Sequence, residues 1–90
     1  MELIDERYLD FVRRQPCCVP GCREMVVHAH HVQSKGAGRC DYMAVPLGQK
    51  HHTGPWGVEN IGRDTFQTKH GIKFEEIIYA LLSRYTRSGV

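Results

Sequence analysis

All four cysteines and five of the six histidines of this 90-residue chain fall between Cys17 and Gly62. That concentration constrains the fold more than any other feature. A chain this short buries a smaller share of its surface than a domain of ~150 residues, and it commonly needs a metal, disulfides or a partner to hold a stable core. Glu2, Asp5, Glu6 and Asp10 in the first fifteen residues argue against a signal peptide. Without an export signal, four cysteines accompanied by six histidines read as an intracellular metal site rather than two disulfides. The expectation is a single cytoplasmic domain over residues 1–90, stabilised by zinc.

No apolar run approaches the ~20 residues that cross a bilayer, so a membrane role is not expected. The net charge is +2 and has no basic tail behind it: the first 45 residues carry six Lys or Arg against six Asp or Glu, and the last 45 carry six against four. Phosphate contacts would therefore come from local placement of Arg23, Lys35, Arg39, Lys50 and Arg63.

Ile4, Tyr8, Phe11 and Val12 recur at helical spacing, predicting a short amphipathic helix from Leu3 to about Arg14 that Pro16 ends. Cys17 to Cys22 reads as a tight turn, and Met25 to Val32 as a β-rich segment. Gln33 to Asp41, with Gly36 and Gly38, reads as a mobile loop. Tyr42 to Leu47 reads as a returning strand, which Pro46 restricts to an edge or an end. Gln49 to Thr53 opens a helical turn, Gly54-Pro55-Trp56-Gly57 interrupts it, and Asp64 to Lys69 is helical with Gly71 as its stop. Phe74, Ile77, Ile78, Leu81, Leu82 and Tyr85 trace the apolar face of a final helix and are assigned to the core.

Structural zinc is held by four Cys or His ligands, commonly in close pairs separated by a longer loop. Cys17 and Cys22, with four residues between them, make one such pair; Cys18 with Cys22 also satisfies the spacing. Cys17 is preferred because Pro20-Gly21 lies within a comfortable knuckle, and Cys18 stays open as the alternative. Cys40 and His51 are the remaining soft candidates and complete a Cys₃His set. His30, His31, His52, Asp41, Glu59 and Asn60 are then left over. Adjacent strand residues point to opposite faces, so His30 and His31 share one cleft only if the strand is irregular or the rings curl round it.

The stretch from Cys17 to Cys22, Ala29-His30-His31-Val32, Asp41 with Val45-Pro46-Leu47, His51-His52, Asn60-Ile61-Gly62-Arg63 with Phe66, and His70-Gly71 resembles the HNH nucleases. The resemblance is to their small branch akin to phage recombination-associated nucleases, and it covers roughly residues 15–72. It implies an α+β fold: a ββα-metal unit with a structural zinc site, flanked here by N- and C-terminal helices. It implies that His30 and His52 hold a catalytic Mn²⁺ or Mg²⁺, that His31 is the general base, and that Asn60 is a weaker third ligand or phosphate contact. Leu47-Gly48 departs from the family, in which a cysteine commonly follows the leucine; Cys40 is expected to fill that vacancy. The middle Asn is also missing, and Asp41 is the residue chosen to orient the base or its loop.

The function this implies is a DNA endonuclease that nicks one strand per active site. The alternative is a non-catalytic, zinc-stabilised nucleic-acid-binding module. That alternative needs a regular helix to present base-reading side chains, which the break from Gly54 to Gly57 disfavours. A third reading pairs the final helix with a protein partner. Partner identity and oligomeric state stay open.

Overall fold

The computed structural model describes residues 3–32 and 38–87. The chain folds as an α+β protein around a two-stranded antiparallel sheet. Of the expected loop from Gln33 to Asp41, residues 33–37 lie outside the described residues, as does Lys35 among the candidate phosphate contacts.

Helix α1 runs Glu6–Arg13. It begins at Asp5, whose carboxylate accepts the Tyr8 amide hydrogen bond at 3.0 Å and so satisfies one of the free N–H groups of the first turn. Leu3 is not helical as expected, because its backbone bridges Cys40 in a parallel pairing. Tyr8, Leu9 and Val12 form the buried face.

Strand β1, Val27–His31, pairs with β2, Ala44–Gly48, in a register that sets His28 opposite Leu47, His30 opposite Val45 and His31 opposite Ala44. Alternation along a strand thus puts His28 and His30 on one face with Val45 and Leu47, and Ala29 and His31 on the other. Asp41–Met43 forms a 3-10 turn that delays β2 by two residues relative to expectation. Pro46 sits mid-strand at no cost to the ladder. Its carbonyl accepts the Cys18 amide at 2.9 Å, so this residue's backbone faces away from β1, where a missing N–H breaks no pairing.

Four helices follow: α2 over Gln49–His52, α3 over Val58–Ile61, α4 over Arg63–His70 and α5 over Phe74–Arg87. Gly57 lets the loop between α2 and α3 close down, since a Cβ there would lie 2.9 Å from the His52 carbonyl. Gly71 ends α4 in the left-handed conformation, φ 66°. The assigned face of α5 packs as expected, with Phe74, Ile78 and Leu81 buried. One apolar cluster gathers Val45, Leu47, Val58, Phe66 and Phe74 beneath the histidine-bearing face. A second, built on Tyr8, Val12 and Leu81, lies under Ala29 and Tyr42. Each fully buried large side chain contributes about 1.5–3 kcal/mol. Among the described residues, no helix is long and apolar enough to cross a membrane.

Candidate metal centres

The turn after α1 and the short helix after β2 bring Cys17, Cys22 and His51 together, their donor atoms all within 4.8 Å of one another. Cys17 Sγ lies 3.6 Å from His51 Nδ1. The Cys22 amide donates to the Val19 carbonyl at 3.1 Å, which folds the chain back so that both thiols face α2. Between the alternatives, Cys17 belongs to the group and Cys18 does not. Cys18 packs against the apolar cluster outside the group, and burial pushes its thiol up to about 12. Burial also raises Cys17, a cost that coordination would offset.

Cys40 does not join this group. It bridges Leu3 just before the 3-10 turn, at the opposite end of β2 from His51. At ~3.4 Å per residue, a five-residue strand separates its two ends by roughly 14 Å. The expected Cys₃His set is therefore corrected to Cys17, Cys22 and His51, with the fourth position open.

A second group unites His30 from β1, His52 from α2 and Glu59 from α3, again within 4.8 Å. His52 Nε2 stands 3.3 Å from Glu59 Oε1, and the His30 and His52 rings meet edge to face at 5.1 Å. Burial, aided by His52, lowers His30 to about 4, and burial lowers His52 as well. Both are thus neutral near pH 7, the form in which imidazole binds a metal. Behind them, His28 Nδ1 lies 2.8 Å from His52 Nδ1. If His52 uses Nε2 toward the group, its Nδ1–H donates to His28, which fixes the ring and its tautomer.

Asn60, expected as a weaker third ligand or phosphate contact, directly follows the Glu59 of this group. Its side-chain amide donates to the Gly54 carbonyl at 2.6 Å and to the Thr53 carbonyl at 3.4 Å, pinning the loop after α2. Neighbouring helix residues point about 100° apart, so the two side chains leave α3 in different directions.

His31 leaves β1 on the other face. The strand pairs regularly through His31, its last residue, so the His30 and His31 side chains leave opposite faces of β1 at the end of the ladder. His31 Nε2 lies 2.8 Å from Asp41 Oδ1. Asp41 is wholly buried and also accepts from the Asp5 amide at 2.7 Å and the Arg39 guanidinium at 2.7 Å. The guanidinium above all, with the Asp5 amide and His31, holds its carboxyl far below the usual carboxylate range. Arg39 is accordingly committed to Asp41, whereas Arg23, Lys50 and Arg63 are exposed.

Sequence reasoning assigned no role to His28, Glu59 or His70. The signal for His28 was available, since it shares strand parity with His30. Glu59 carried none beyond proximity to Asn60. His70 ends α4 after Lys69, where basic residues are ordinary because they complement the helix dipole; yet its ring stands 5.2 Å from that of His51. Neither a protein-family model, nor a curated protein, nor a solved structure matches the chain.

Proposed function

We propose that the protein is a metal-dependent endonuclease of the HNH kind, hydrolysing DNA phosphodiester bonds and nicking one strand per active site. The observation that carries this reading is the convergence of His30, His52 and Glu59 beside an imidazole–carboxylate pair on the very next residue of β1. The order β1, β2, α2 supports it too, being the order a ββα-metal unit requires.

Two imidazoles and a carboxylate suit Mn²⁺ or Mg²⁺ with positions left for substrate and water. A divalent ion held there would neutralise charge on the scissile phosphate and its leaving oxygen. His31 supplies the base. With Nε2–H donated to Asp41, Nδ1 is the atom that takes a proton from water, and the buried carboxylate stabilises the imidazolium that results. A phosphate lying across the end of β1 would meet His30 from one side of the strand and His31 from the other. Arg23, Lys50 and Arg63 are the exposed cations that would hold the DNA backbone. Cys17, Cys22 and His51 hold the structural zinc in this reading, away from the chemistry.

The test is nicking of supercoiled plasmid by protein cleared of loosely bound ions, then supplied with Mn²⁺ or Mg²⁺. Nicked circles from the wild type, and their loss in His31→Ala, are expected. DNA binding without nicking in any divalent ion would replace this reading with the zinc-stabilised binding module.

A further inference from the structure

We propose that His70 is the fourth ligand of the zinc site formed by Cys17, Cys22 and His51, so that the metal ties the end of α4 to the cysteine turn and to α2. This rests on the structural-zinc part of the reading above and not on the nuclease chemistry.

Three donors are one short of the four that structural zinc takes. With Cys40 displaced to the far end of β2, the missing donor must come from another element. His70 is the nearest further imidazole to His51 among the described residues, its ring nitrogens lying outside the 4.8 Å group. Its ring meets that of His51 edge to face, 5.2 Å between centroids at 85°, and rests on Phe66 at 4.5 Å.

The independent sign is the state of its outer nitrogen. His70 Nε2 is buried and has no hydrogen-bond partner. A buried polar atom left unpaired is costly, and the Phe66 ring stacked on His70 brings no polar atom of its own. A metal bond to Nε2 removes that cost. Zinc–nitrogen and zinc–sulfur bonds of ~2.0–2.3 Å would draw His70 in toward the three donors that already lie within 4.8 Å of one another.

The placement explains a second feature. The α4–α5 corner is fixed by Gly71 and by the Phe74 amide, which donates to Gln67 Oε1 at 2.7 Å. A ligand on the last residue of α4 anchors this corner, and with it the start of α5, to the hairpin side of the molecule.

The experiment uses the full chain and reads metal binding rather than cleavage. Zinc content, competition with a chromophoric chelator, and the visible spectrum of the cobalt-substituted protein are compared for wild type, His70→Ala, His70→Cys and Cys22→Ser. His70→Ala is expected to weaken zinc binding by at least ~10-fold, the lower end of what disturbing even an outer contact to a ligand does. His70→Cys is expected to retain one metal per chain and to strengthen the thiolate-to-cobalt absorption, a readout that survives if the alanine variant folds poorly. Wild-type zinc affinity in His70→Ala, or a His70→Cys cobalt spectrum identical to wild type, overturns the assignment. If Cys22→Ser loses zinc while both His70 variants behave as wild type, this inference alone fails. A wild-type protein that holds no tight metal defeats the zinc reading together with it.

Discussion

His31 Nε2 lies 2.8 Å from Asp41 Oδ1, and Asp41 has no solvent-exposed surface. A half-exposed imidazole is thus oriented by a buried carboxylate, itself fixed by Arg39 and by the amide of Asp5, which caps α1. The cap of the first helix and the proposed base are two hydrogen bonds apart.

Asp41→Asn is expected to separate orientation from ion binding. The amide keeps the shape but cannot accept from Arg39, Asp5 and His31 at once in the same way. Nicking should fall ~10–100-fold, the usual range for losing an orienting partner, with the Mn²⁺ concentration dependence unchanged. A shifted Mn²⁺ requirement would instead place Asp41 among the ion's ligands. Asp41→Ala should also destabilise the fold by about 1–3 kcal/mol, since it leaves the partly buried Asp5 amide without its acceptor.

Acid should weaken the fold in two stages. His30 is depressed from 6.5 to about 4 by burial, so the stability tied to its neutral form is full above the ordinary histidine range and drains as pH falls toward 4. Asp41 is depressed by its Arg39 contact, so its contribution is full above the ordinary carboxylate range and is lost only below it. The readout is the Tm difference between wild type and His30→Gln in protein given no added divalent ion. That difference should change between pH 7 and pH 5. A constant difference over this interval would show that His30 keeps the same proton affinity folded and unfolded.

The sequence made most of the helices, the hairpin and several members of the two Cys/His groups legible because their signals are local. Periodicity marked the buried face of α5, and the spacing of Cys17 and Cys22 marked a knuckle that the turn at Val19 and Cys22 realises. What was illegible depended on distance in space. Cys40 and His51 look like a pair along the chain, but an extended strand lies between them. Glu59 and Asn60 differ by one helical step, which only the packing of α3 against α2 decides. His70 became a candidate only once α4 had turned its last residue back onto His51.

Tyr8 offers a test of the core free of any metal. Its side chain is wholly buried, its hydroxyl has no hydrogen-bond partner, and burial pushes its pKa up to about 12. Tyr8→Phe keeps the ring contacts with Phe11, Tyr42 and Tyr85 while deleting the unpaired hydroxyl. Stability should rise by ~1 kcal/mol, which in a domain of this size lifts Tm by ~4–8 °C. A fall in Tm would show that the hydroxyl is satisfied in solution.

The two neighbouring histidines of β1 should fail in different ways, because they serve opposite faces of the strand. His30→Ala removes a donor from the group with His52 and Glu59. It should raise the Mn²⁺ concentration needed for nicking, so that excess ion restores part of the rate. His52→Ala and Glu59→Ala should behave the same way, while Asn60→Ala, which loses its bonds to the Thr53 and Gly54 carbonyls, should keep the wild-type ion requirement. His31→Ala leaves all three donors in place and removes the proton acceptor, a role worth ~10²–10⁴ in rate. No amount of Mn²⁺ should recover it. Titrating Mn²⁺ against plasmid nicking for the wild type and these five variants, with tightly held zinc measured in each sample, distinguishes the possibilities. Rescue of His31→Ala but not of His30→Ala would exchange the two roles. Rescue of Asn60→Ala from a raised requirement would return the third ligand to Asn60 and leave Glu59 as a surface acid. Near-normal nicking in all five would remove His30, His31 and His52 from the chemistry.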